Sequence, residues 1–177
     1  MRAVGLMLLM SLLMVSCGDS GDKSVAVSLA QEIDLQSDDS LYTIKEAGLY
    51  FQVTIPGELM AHGDPQMNFN SARGVFQIRD AAQQIALEIS PESRTWQEVL
   101  NDKQRDALFN IQWADTSKHF AIYNRVLPDG NKYDQMIISI LESNSQRILV
   151  SSSPEGEYTE GDIQRMKEIL STLKLLL

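Results

Sequence analysis

The sequence predicts an α+β fold, an antiparallel sheet of about six strands packed against two helices. Three observations carry that prediction. Apolar and polar residues alternate with a period of two in short runs between residues 49 and 152, each closed by turn residues. One capped helix interrupts these runs, and a longer amphipathic stripe closes the chain.

Taken in order, Leu49, Phe51, Val53 and Ile55 alternate with Tyr50, Gln52 and Thr54, and Pro56-Gly57 ends this strand. Residues 57–73 hold glycine and proline breaks and little periodicity, which predicts a long irregular loop. Val75, Gln77 and Arg79 alternate with Phe76 and Ile78; Ile85, Leu87 and Ile89 alternate with Ala86 and Glu88, up to Pro91. These two runs read as an antiparallel pair. Thr95 and Glu98 then have the spacing of a capping box, and Trp96, Val99, Leu100, Ala107 and Leu108 supply a narrow helical stripe.

Phe120, Ile122 and Val126 fall on one face of the next strand. Pro128-Asp129-Gly130 is a turn, because proline presets φ and glycine accepts a positive one. The return strand runs from Tyr133 to Glu142, Ser143-Asn144-Ser145 turns again, and Ile148 to Ser152 completes a three-stranded meander. Thr159 is the expected N-cap of the last helix, with Glu160 and Asp162 favouring the positive end of its dipole. Ile163, Met166, Ile169, Leu170, Leu173 and Leu177 line one face, so this helix is read as a lid over the sheet.

Composition bounds the function. The chain has 177 residues, 44% hydrophobic and 22% charged, which suits one globular domain. Lys and Arg number 15 against 24 Asp and Glu, a net charge of −9 that argues against nucleic acid as a partner. A single cysteine excludes an intramolecular disulfide and a zinc site built on paired thiolates.

Arg2 precedes an apolar run, Leu6 to Val15, broken only by Ser11. Such a run makes roughly 15 Å of helix, too short for a hydrocarbon core of about 30 Å, and reads as a secretory signal peptide. Its end, Leu13-Met14-Val15-Ser16-Cys17, resembles the lipobox of bacterial lipoproteins. The resemblance implies cleavage between Ser16 and Cys17, with lipid (palmitate or its like) on the Cys17 thiol and often on the freed amine. The thiol is needed because a thiolate is the nucleophile. Residues 1–16 are then the signal peptide, 17–40 the acylated cysteine and a tether, and 41–177 a single α+β domain. Gly18 after the cysteine implies the outer membrane where the cell has one, otherwise the outer face of the plasma membrane. The pairs Asp19/Asp22 and Asp38/Asp39 lack the spacing of a calcium loop and read as linker charge.

The strand ending in Ile55-Pro56, the meander around Asp129-Gly130 and Tyr133, and the closing helix from Asp162 to Leu173 resemble the PsbP-like and DcrB-like proteins of envelopes and lumens. That resemblance implies a sandwich fold and a non-catalytic accessory or binding domain, often assisting a larger membrane complex. Gly57-Glu58-Leu59 stands where those proteins usually carry an aromatic soon after the proline.

Catalytic and metal chemistry finds little to work with. No Gly-x-Ser-x-Gly elbow occurs, and the two histidines, His62 and His119, do not have the spacing of zinc ligands. His62 beside Asp64 reads as a solvated loop histidine. Gly57, Gly63 and Gly74 open no predicted helix, so no phosphate-binding loop and no cofactor is expected. The candidate partner-binding surface is the long loop with Met60, Met67, Phe69 and Arg73; the alternative is that its apolar side chains fold back onto the sheet. Arg73 and Arg79 are candidates for an anionic group, or ordinary surface arginines.

The function expected is that of a lipid-anchored envelope accessory protein, a non-catalytic module whose partners are the membrane, through Cys17, and another envelope protein. A carrier of a small apolar or lipid ligand held between sheet and helix is the alternative, and an envelope hydrolase the third.

Overall fold

A computed structural model of the protein describes residues 41–57, 64–80, 82, 84–144 and 146–176. Ser16, Cys17, the tether, Met60 and His62 lie outside the described residues. The fold is α+β with antiparallel strands throughout, as the alternating runs predict. It has two sheets rather than one. Strands β1 (Leu41–Glu46), β2 (Leu49–Thr54) and β10 (Lys174–Leu175) form a small sheet in the order β1-β2-β10. The larger sheet has seven strands, ordered β3-β4-β5-β9-β8-β7-β6. These are β3 (Gln66–Asn70), β4 (Val75–Arg79), β5 (Ala86–Pro91), β6 (Asn110–Thr116), β7 (Phe120–Val126), β8 (Lys132–Glu142) and β9 (Arg147–Ser152). Helix α1 (Trp96–Gln104) follows β5, and α2 (Glu160–Thr172) follows β9.

The register explains the layering, because partners across an antiparallel ladder share a face. Phe76, Ile89, Val150, Ser139 and Phe120 form one row across β4, β5, β9, β8 and β7. The small sheet and α2 cover that face. Phe51 of β2 meets Phe76 edge-on at 5.7 Å, and Lys167 of α2 lies 5.1 Å above the Phe120 ring. Ile137, Val150, Ile163, Met166 and Ile169 are fully buried between the layers. The opposite face carries α1. Val99 is buried there, Trp113 stacks edge-on against Tyr123 at 5.4 Å, and the Trp113 Nε1 donates to Gln104 Oε1 at 2.7 Å.

Both helix starts follow the sequence prediction. Thr95 with Glu98, and Thr159 with Asp162, form complete capping boxes. The end of α1 does not. Asp106 accepts from the N–H groups of Leu108 and Phe109 at 2.8 and 3.0 Å, which turns the chain just past Gln104. Ala107 and Leu108 therefore leave the predicted stripe, and Leu108 is 73% exposed.

Residues 57–73 are likewise not one loop, since β3 occupies Gln66–Asn70. Met67 and Phe69 lie opposite Ile78 and Phe76 and pack against the core. The β1–β2 hairpin was hidden from sequence reading for a different reason. Its turn is Ala47-Gly48, with φ of 51° and 81°, the paired left-handed geometry that Asn-Gly normally signals. Ala47 adopts it at a cost of roughly 1 kcal/mol for its Cβ.

Candidate functional site

Polar side chains interrupt the α1-bearing face of the large sheet at strand positions that alternation makes inward-facing. Two clusters result. In the first, the carboxylate of Glu88, whose side chain is 7% exposed, accepts two bonds from Arg73 at 2.6 and 2.7 Å. It also accepts from Gln77 Nε2 at 3.0 Å and Ser153 Oγ at 2.9 Å. Glu155 then bridges Arg73 and Arg79, 3.3 Å from each. The anionic group that Arg73 and Arg79 bind is thus the chain's own pair of carboxylates. Met67 and Phe69 are half-buried on β3, and Arg73 stands in the exposed turn that follows it.

The second cluster centres on Arg125 and Asp134, register partners on β7 and β8. Their side chains are 10% and 2% exposed, and the guanidinium meets the carboxylate in a fork, Nε to Oδ1 at 2.7 Å and Nη2 to Oδ2 at 2.5 Å. Asp134 raises the Arg125 pKa above its ordinary value through this bond. The remaining donors reach the Gly156 carbonyl at 3.1 Å and that of Pro154 at 3.4 Å. Phe109 and Tyr133 lie 4.8 and 5.3 Å from the guanidinium, which adds cation–π attraction. The Tyr133 hydroxyl donates to Glu157. The contacts to Pro154, Gly156 and Glu157 tie the segment between β9 and α2 to the sheet.

Tyr158 completes that segment. Its ring is buried, its hydroxyl donates to the Ser153 carbonyl at 3.1 Å, and burial pushes its pKa up to about 12. The ring lies directly on Gly156: a Cβ there would fall 2.2 Å from the Tyr158 oxygen. Gly156→Ala is expected to displace the ring and lower stability by about 1–3 kcal/mol, read as a shift in thermal melting. Gly161→Ala, whose nearest neighbour would be 3.7 Å away at the N-terminal turn of α2, serves as the control and is expected to be neutral or stabilising.

A third feature is open. A cleft of about 560 Å³ lies where the small sheet diverges from the end of β8. It is lined by His119 and Phe120, by residues 139–143 of β8 and the turn after it, and by Lys174 and Leu175 of β10. Gln146 holds its two walls together: its Nε2 donates to the carbonyls of Tyr50 and Leu176, and its Oε1 accepts from the Tyr50 N–H. Glu142, which lines the cleft, accepts from Arg147 at 2.5 Å, and this bond holds its carboxyl below the usual range.

Of the residues singled out by sequence, His119 lies exposed at this cleft and Asp64 is exposed beside β3. Among the described residues, no group of three His, Cys, Asp or Glu is placed to hold a metal ion. Nor is any described helix long and apolar enough to cross a membrane.

No family model matches the chain, and no curated protein matches its sequence. Among solved structures it is similar to cyanobacterial PsbP (CyanoP) from Synechocystis sp. PCC 6803, at 17% identity and a TM-score of 0.46. That similarity spans 92% of this chain and 99% of the other.

Proposed function

We propose that the protein is a lipid-anchored envelope protein acting outside the cytoplasm as a non-catalytic binding module. The observation that carries this reading is the position of Cys17, the only cysteine, directly after a signal-like apolar run and a small residue. Two acyl chains on one residue bind a bilayer far more durably than one, at about 0.8 kcal/mol for each buried methylene. Cleavage before Cys17 removes Arg2 and leaves 14 Lys and Arg against 24 Asp and Glu, a net charge of −10 that anionic headgroups repel, so the anchor supplies the membrane affinity.

Two features of the domain support binding over catalysis or carriage. Glu88 and Asp134, two of the buried carboxylates, are each held by a bidentate arginine. The space between α2 and the sheets is filled by Phe51, Ile137, Val150 and Met166, none of which is exposed, so an apolar ligand has no evident seat there.

Cells fed labelled palmitate provide the test. Wild-type chain is expected to take up label and sediment with membranes, and Cys17→Ala to lose the label and keep its precursor length. An unlabelled wild-type chain that keeps Met1 and stays in the cytosol would overturn the proposal.

A further inference from the structure

The cleft at the end of β8 is lined by consecutive residues, 139–143, of one extended segment. Consecutive strand residues point to opposite faces, so a hollow that touches all of them runs along the strand's edge and not over one face. The ladder shows why the edge is bare. The N–H of Ile140 donates to the His119 carbonyl at 2.8 Å, and Ser117 has already turned the chain away by donating to the carbonyl of Phe120 at 2.7 Å. On its other side β8 stays paired, with Glu142 opposite Arg147 and the Ser143 N–H on the Gln146 carbonyl at 2.8 Å. Antiparallel bonding alternates, so the main-chain N–H and C=O of Glu142 face the cleft, with no backbone partner among the described residues.

The opposite wall has the same property. β10 is an edge strand whose Leu176 N–H donates to the Tyr50 carbonyl at 2.9 Å. By the same alternation, the N–H and C=O of Leu175 point away from β2. Two walls of a single hollow therefore present main-chain donors and acceptors, with Phe120, Leu141 and Leu175 as apolar ground between them.

Charge selects the occupant further. Glu142 is neutralised by Arg147, whereas Lys174 is exposed and has no ion-pair partner among the described residues. On a protein of net charge −9, the wall of this cleft with the exposed Lys174 is a place for a carboxylate. We infer that the cleft binds a short extended segment of a partner protein, about three or four residues, by strand addition at β8 and β10, with apolar side chains at alternate positions and a carboxylate against Lys174. This rests on the reading of the chain as a binding module and gives that reading a site.

The test uses the full chain in mild detergent and a fluorescein-labelled peptide of alternating threonine and valine ending in aspartate. Saturable binding is expected by fluorescence polarisation. Methylating the peptide's alternate backbone amides on the bonding edge is expected to weaken binding about tenfold, the effect of two lost hydrogen bonds. Lys174→Glu is expected to weaken it roughly fivefold. Lys132→Glu, the same charge change at the far end of β8, should leave it unchanged. No saturable binding, indifference to backbone methylation, or equal effects of the two lysine variants would each overturn the site. A palmitate-labelled chain that ignores the peptide but crosslinks to an envelope protein in cells loses this cleft and keeps the binding reading. Loss of labelling with peptide binding intact overturns the anchor and keeps the cleft.

Discussion

Asp134→Ala is expected to lower the stability of the domain by about 3–5 kcal/mol, a large part of the 5–15 kcal/mol typical of a folded domain. The effect comes from what remains behind. Arg125 cannot shed its proton, and its side chain is only 10% exposed between Phe109 and Tyr133. Without Asp134 it keeps the Gly156 and Pro154 carbonyls as acceptors, and these do not balance a full charge. Urea denaturation followed by circular dichroism measures the loss. The double substitution Arg125→Met with Asp134→Leu removes both charges and fills similar volume, so it is expected to recover most of the stability. A single variant as stable as the wild type would mean that the guanidinium reaches water and that the β9–α2 segment is not tied down by this pair.

How much of this was legible beforehand depends on the element. The strands at β2, β4, β5, β7, β8 and β9 alternate cleanly, and the Thr95–Glu98 capping box and the Thr159 N-cap are spelled out by residue type, so these could be read directly; that Asp162 closes a second box could not. The four missed strands failed for separate physical reasons. β1 depends on a left-handed Ala47 that no turn rule favours. β3 is only five residues long and follows Gly57, Gly63 and Pro65, whose breaks mask the alternation of Met67 and Phe69. β6 is an exposed edge whose register shifts between Trp113 and Asp115, which spoils its period. β10 is two residues long and exists only because β2 offers it an edge.

The polar clusters were less legible still. Glu88 lies inside the run Ile85–Ile89, and Asp134 begins the run that continues through Leu141. A charge inside a strand is the only local sign of a buried pair, and an exposed face gives the same sign. Which arginine answers each acid is set by register and by the β9–α2 segment: Glu88 takes Arg73 from a turn, and Asp134 takes Arg125 from the strand beside it. The cleft had no signal in residue types at all. It arises where β7 begins three positions short of the end of β8, measured from the Phe120–Ser139 pair to Glu142, and only the ladder reveals that.

The largest effect is expected at Ile169. The amphipathic pattern makes it central to the stripe of α2, and it is 1% exposed beneath Leu170, Met166 and the sheet. Its loss as an apolar group alone costs on the order of 2–5 kcal/mol when the side chain is cut to alanine. Ile169→Asp adds a carboxyl to that site, with nothing in the neighbouring stripe, Ile163, Met166, Leu170 and Leu173, to accept or donate a bond. Either the group ionises in an apolar layer or it stays protonated above its ordinary pKa, and both add several kcal/mol. The sum approaches the whole stability of the domain, so Ile169→Asp is expected to give a chain without a cooperative melting transition. Ile169→Val, one methylene smaller, should melt cooperatively at a cost of about 1 kcal/mol, and Gln164→Asp on the exposed side of α2 should change stability by less than about 0.5 kcal/mol. Because α2 packs on both β2 of the small sheet and β8 of the large one, losing this face also leaves the walls of the cleft to the Gln146 hydrogen bonds and the Phe51–Phe76 contact. A soluble Ile169→Asp protein that melts cooperatively near the wild-type temperature would show that the two sheets hold together without the packed face of α2.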